Sequence, residues 1–248
     1  MPLRAITTAS GTGTACTTTV PAGAVVGDVA VLIVANAAYA ISSDMSSSGW
    51  TLHGVSASNA PGGELTVWTK VVTAPDIGAT VTVTISTSTR WAMAVMVRYD
   101  VSGLDATPVF SSSAALTTTP TAPSITTATA NAELVCIYGT EPYVTGVVAT
   151  YTLPVGQTKI AEISSSSGSQ RNASFAIGEE VLSVAGASGT RQATASTPDV
   201  NDNVYQGTAT LAFTSSAVPA PDPLTVKVRQ SGAWVEKPLK IRVGGNWA

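Results

Sequence analysis

Few side chains in this sequence are equipped for chemistry, and their spacing decides which chemistry is open to them. The one histidine, His53, lies in GWTLHGV, a strand-like context with no nucleophile motif beside it. It reads as a packed or surface residue rather than a general base. Glu179 and Glu180 are adjacent carboxylates, but neighbours on a strand point to opposite faces, which makes them a poor pair for glycoside hydrolysis. In PDVNDNVYQG, the residues Asp199, Asn201 and Asn203 follow the one-three-five spacing of a calcium loop. Val204 stands where that loop needs glycine and Thr210 where it needs a bidentate glutamate, so a polar turn is the better reading. The sequence has no Walker-type phosphate loop and no dinucleotide fingerprint. No catalytic residue, cofactor or metal ligand is assigned, and a non-enzymatic protein is expected.

The aromatic and cationic residues carry a stronger pattern. Tryptophan occurs at positions 50, 68, 91, 234 and 247. In ELTVWTKVV, Trp68 is expected to share a strand face with Thr66 and Lys70, which makes it the candidate glycan contact of the body. Packing in a core or between subunits is nevertheless the leading reading for each tryptophan, given the area an indole buries. The chain ends in VKVRQSGAWVEKPLKIRVGGNWA, a tandem repeat. A shift of thirteen places Val226-Lys227-Val228-Arg229 on Leu239-Lys240-Ile241-Arg242, and Trp234 on Trp247. Each copy reads as a strand, a glycine-containing turn and a tryptophan-bearing return. A lone hairpin is marginal in water, so the repeat is expected to dock through Lys227, Arg229, Trp234, Lys240, Arg242 and Trp247.

The elements that would position these residues are strands. Period-2 alternation runs through TVTVTIST and RWAMAVMVRYDV; in the latter Trp91, Met93, Val95, Val97 and Tyr99 form one apolar face, with Arg90, Ala92, Ala94, Arg98 and Asp100 on the other. Such strands are expected to bury one side only. Similar runs near 14–20, 28–36, 64–72, 132–139, 158–163, 172–184 and 204–213 are separated by turns rich in Gly, Pro, Asn and Asp. About ten strands predict an all-β, jelly-roll-like two-sheet sandwich over residues 1–217, with a barrel as the alternative. Pro219, Pro221 and Pro223 mark a stiff linker over 218–225. The hairpin repeat follows as a short C-terminal extension over 226–248.

Composition agrees with this. The chain has 248 residues, 44% hydrophobic and only 11% charged, ample for a core and poor in amphipathic helix. Residues 1–224 carry seven basic and fourteen acidic side chains, a balance of −7, whereas residues 225–248 carry five basic and one acidic, a balance of +4. The acidic body argues against nucleic-acid binding; the cationic end suits an acidic partner. Cys16 and Cys136, 120 residues apart, form neither a disulfide framework nor a zinc site and read as buried strand residues, a bridge between them being the lesser alternative. The apolar run VAVLIVANAAYA starts late, lacks a basic flank and is well short of the ~20 residues of a membrane span. No signal peptide and no membrane insertion are expected, with synthesis in a cytoplasm.

The terminal repeat resembles the Lys/Arg-Val-Arg-Val-Gly-Gly-x-Trp ending of minor tail and other virion proteins of siphophages that infect actinobacteria. The match covers about the last tenth of the chain. In the body, PAGAVVGDVAVLIVA, SGWTLHG, LTVWTKVV and WAMAVMVRYDVSGLDATPV occur in the order found in β-sandwich domains of such proteins. The resemblance implies a virion structural protein, a tail-tip or fibre component serving assembly or host attachment. A capsid decoration or head-spike protein and a host-glycan-binding module are the alternatives. Its implied partners are sister subunits, in a homo-oligomer for which threefold closure is one form, other virion proteins, and a glycan of the host envelope.

Overall fold

The computed structural model describes residues 3–37, 45, 48–57, 64–113, 118–141, 149–165, 172–196, 205–215, 225–230, 233–238, 242–243 and 246–247. The chain forms two compact units, Met1–Ser215 and Ser216–Ala248, a division close to the one marked by the prolines. Among the described residues there is no α-helix; a 3-10 turn lies at Ala74–Asp76.

The first unit is an all-β sandwich, as the alternation predicts. Its first half supplies β1 (Leu3–Thr19), β2 (Val29–Asn36), β3 (Thr51–Ala57), β4 (Glu64–Val71) and β5 (Thr80–Arg98). The second half supplies β6 (Val101–Ser113), β7 (Thr121–Ala122), β8 (Thr126–Thr127), β9 (Ala132–Glu141), β10 (Thr150–Thr152) and β11 (Thr158–Ser164). It continues with β12 (Ser174–Leu182), β13 (Gly186–Ala187), β14 (Arg191–Gln192), β15 (Thr194–Ser196) and β16 (Tyr205–Ser215). Two five-stranded antiparallel sheets result, in the orders β1-β5-β2-β4-β3 and β6-β16-β9-β12-β11. Ranked by appearance within each half, the five long strands follow the same order twice, first-fifth-second-fourth-third. The edges meet crosswise as well, β3 beside β6 and β1 beside β11. The two halves are therefore topological repeats, with Asp100 (φ 53) in the tight connection between them. Aspartate is among the few residues other than glycine that accept this conformation readily.

The expected one-sided burial holds in TVTVTIST, where Val81, Val83 and Ile85 are buried and Thr80, Thr82 and Thr84 exposed, but not in the central strands. β2 is buried along its whole length, as is β5 from Thr89 to Arg98. Val31, Ile33, Ala92, Ala94 and Met96 face Val135, Ile137, Phe175, Ile177 and Leu211 of the opposite sheet, forming the central core. The alternate residues Leu32, Val34, Trp91, Met93, Val95 and Val97 enter a second core on the outer face of the first sheet. A fold-back of the chain covers that face. β1 and β5 pair from Leu3↔Arg98 to Gly13↔Thr89, after which β1 advances two residues while β5 advances five, and pairing resumes at Ala15↔Thr84. Extra residues on one strand bend a ribbon. Beyond this bend Cys16, Val81, Val83 and Ile85 press onto Leu32, Trp68 and Met93.

The second sheet is covered in a parallel way by the short pairs β7–β14, β8–β13 and β10–β15. Ala122, Ile125, Tyr151, Ala193 and Ala195 lie over Leu134, Cys136 and Tyr138. Hydroxyls of β16 fasten this cover, Thr208 Oγ1 donating to the Thr121 carbonyl (2.9 Å) and Thr210 Oγ1 to that of Pro123 (2.7 Å). Three apolar layers thus lie between four layers of strands. Each fully buried Val, Leu, Ile or Phe contributes roughly 1.5–3 kcal/mol. Cys16 and Cys136 are buried and unbridged, in different layers.

The second unit holds the expected hairpins, β17 (Thr225–Gln230) with β18 (Ala233–Pro238) and β19 (Arg242–Val243) with β20 (Asn246–Trp247), each a separate two-stranded sheet. β17 begins at the last residue of the expected linker, the rest of which lies outside the described residues.

Candidate functional site

In the terminal repeat, the register adds a fact that the linear sequence conceals. Arg229 is the cross-strand partner of Trp234, and thirteen residues later Arg242 is the partner of Trp247. Residues directly opposite in an antiparallel pair share a face. What the repeat duplicates is a cross-strand Arg–Trp pair. In the same register Lys227 stands opposite Glu236 and Val228 opposite Val235. Lys240 lies outside the described residues.

Trp68 is not an exposed glycan platform; it takes the packed position favoured for each tryptophan. It is 2% exposed and packs with Trp50, Trp91 and Met93 beneath the fold-back of β1 and β5. Its neighbour Thr66 is buried as well, whereas Lys70, further along the same face, stays partly exposed. Trp68 is therefore a core residue, and the glycan role is withdrawn from it.

The titratable residues behave as packing elements. His53 is half-buried, which lowers its pKa, and its Nε2 lies 2.6 Å from Thr69 Oγ1. Glu179 and Glu180 diverge as the strand geometry requires, Glu179 toward Arg98 and Glu180 toward Arg191 (2.5 Å). Among the described residues, no three or more His, Cys, Asp or Glu side chains are grouped to hold a metal ion. The Asp199 loop lies outside them. No helix of the described residues is long and apolar enough to cross a membrane.

The register separates two ends of the sandwich. Asn36 pairs with Glu64 and Trp91, Thr140 with Ser174 and Gln206, and Glu141 with Tyr205. The strand ends at Asn36, Ala57, Glu64, Glu141, Ser164, Ser174 and Tyr205 therefore gather at one end. There Asn36, Glu64, Thr140, Glu141, Ser174 and Gln206 border a cavity of about 20 Å³, room for one water. Along the neighbouring edge, Ser111, Ser112, Thr119, Thr121, Gln192 and Thr208 line a neutral groove of about 300 Å³.

At the opposite end the chain leaves the sandwich through Ser215, paired with Val101. Here lies a group that sequence reasoning missed. Arg98, 0% exposed, donates from Nη1 to Glu179 (3.0 Å) and from Nη2 to Glu133, and its guanidinium stands 5.1 Å from the centre of the Phe213 ring. The three charges join β5 of the first half to β9 and β12 of the second. Burial pushes the Glu133 carboxyl above its ordinary pKa, against the pull of Arg98, and the charge of Glu179 adds to the rise. The one sequence signal was an arginine closing the continuous apolar run Ala92–Val97.

Compared with protein-family models, curated proteins and solved structures, the chain has no match in any of the three.

Proposed function

We propose that this protein is a non-enzymatic structural component of a phage virion, a minor tail protein of the tail tip or fibre, whose C-terminal unit docks it to sister chains or to other particle proteins. The observation that carries this reading is the duplicated Arg–Trp cross-strand pair, set on two hairpins in a unit separate from the sandwich. A two-stranded hairpin is marginal alone, and aromatic residues and arginine are the commonest anchors of protein interfaces. The +4 balance of residues 225–248 fits an acidic partner surface. Capsid decoration is the second reading, because the terminal pattern does not distinguish head from tail.

The test is deletion of residues 216–248 in the phage and analysis of purified particles. Loss of the truncated protein from particles, with the sandwich still folded, is the expected result. Undiminished incorporation would overturn the docking role.

A further inference from the structure

The deepest charges of the sandwich do not balance. Arg98, Glu133 and Glu179 are all buried, and with both carboxylates ionised the triad holds two negative charges to one positive. The register keeps the carboxylates together. Glu179 pairs with Val135, and Val181 with Glu133, so the two glutamates are diagonal neighbours on one face of the second sheet, a separation that long side chains bridge. Arg98 enters between them from the first sheet, Nη1 donating to Glu179 (3.0 Å) and Nη2 to Glu133, while its guanidinium rests on Phe213 of β16.

The charged groups on the surrounding elements are engaged elsewhere. On β1, Arg4 binds Asp28, the residue ahead of β2 (2.6 Å), and is drawn also to Tyr99 and Asp100 between β5 and β6. On β11, Lys159 binds Glu162 (2.7 Å). Glu180, on the opposite face of β12, binds Arg191 (2.5 Å). Asp105 of β6 accepts from Thr129, Ala128 and Thr214. Among the described residues, Arg98 is therefore the one cation within ion-pair distance of Glu133 and Glu179.

We infer that the triad is a proton-operated joint between the two halves of the sandwich: a proton taken up from solvent by Glu133 leaves one guanidinium matched by one carboxylate, so the halves grip more tightly in acid than at neutral pH. A surplus charge in an apolar interior is costly, and the cost disappears with that proton. The neutral carboxyl still accepts from Arg98 Nη2 through its carbonyl oxygen, so the hydrogen bond is kept. Burial raises the Glu133 carboxyl above its ordinary pKa; Arg98 and the amino-terminal charge oppose the rise, and the charge of Glu179 adds to it. A group raised in the folded state stabilises below its unfolded pKa and loses that contribution as pH climbs through the folded one. Asp76 and Asp105 have the opposite sign, since at both the effect of burial is outweighed by hydrogen bonds and the carboxyl is lowered.

The test uses the full chain. Carbon-13 NMR follows the glutamate carboxyls from pH 8 to pH 3.5, the Glu133 signal being the one that Glu133→Gln removes. The expected result is a Glu133 midpoint clearly above the ordinary ~4.3; a midpoint at or below that value would overturn the inference. Thermal unfolding then compares the parent with Glu133→Gln at pH 7.5 and pH 4, since the amide keeps an acceptor for Nη2 and imitates the protonated state. The variant is expected to melt higher than the parent at pH 7.5, by roughly 2 °C or more, and by a smaller margin at pH 4. No gain at pH 7.5, or a margin that does not change with pH, contradicts the joint. Neither readout depends on the virion reading.

Discussion

Replacing Arg98 by methionine removes the one cation that faces two buried carboxylates. Glu133 and Glu179 keep side-chain exposures of 6% and 4%, so water cannot take over the role of the guanidinium. Breaking a buried ion pair from one side costs about 3–5 kcal/mol, and the lost contact with Phe213 adds to it. Against a total stability of ~5–15 kcal/mol this is a large fraction. For a unit of this length, about 2–4 °C per kcal/mol gives a fall in melting temperature of roughly 6–20 °C at pH 7, read by near-ultraviolet circular dichroism. The pH dependence gives the sharper check. Without Arg98 the Glu133 carboxyl, which burial already raises, binds its proton more readily in the folded state than in the unfolded one. The penalty is therefore full at neutral pH and relieved as pH falls toward the ordinary carboxylate range. The deficit of Arg98→Met should narrow on acidification. Adding Glu133→Gln and Glu179→Gln should restore most of the loss at pH 7, since the charges, not the shape, create the penalty. A variant as stable as the parent at pH 7, or a deficit that does not change with pH, would refute the triad as a joint between the halves.

Two further outcomes follow from single groups. Partial burial works against the Asp105 carboxylate, but bonds from the Thr129 hydroxyl (2.5 Å), the Ala128 amide (2.6 Å) and the Thr214 hydroxyl (3.3 Å) outweigh it, and its pKa is lowered. A lowered carboxylate stabilises above its unfolded pKa and loses that contribution as pH falls through the folded one. Asp105→Asn should therefore cost about 1–2 kcal/mol at pH 7 and markedly less near pH 3, measured by urea unfolding. Burial pushes the Cys16 thiol up to about 12 and the Cys136 thiol up to about 11. Neither should react with an aromatic disulfide reagent at pH 8 in the native protein, and both should react in urea; fast native labelling of either would contradict the packing of its layer.

The strands were legible because alternation is local. The runs at 28–36, 64–72 and 132–139 fall on β2, β4 and β9, and their apolar residues enter the cores. What lay opposite each face was not legible. Ala92 and Ala94 are small, compatible with water or with a tightly packed partner, and the partner comes from the other half of the chain. The same ambiguity made Trp68 look exposed: its cover, Val81 to Ile85, is distant in sequence and reaches it only because the β1–β5 ribbon folds back. Arg98 looked like an ordinary surface charge because Glu133 and Glu179 lie 35 and 81 residues away. The terminal repeat was fully visible as a shift of thirteen, yet the pairing of each arginine with a tryptophan needed the register of the hairpins.

The central claim is that the C-terminal unit is a docking element, and the most direct measurement is the mass in solution, by light scattering, of the full chain and of a chain ending at Ser215. The expected result is a self-associated full chain and a folded monomeric truncation. Equal masses for the two, both monomeric or both assembled, would contradict association through the repeat.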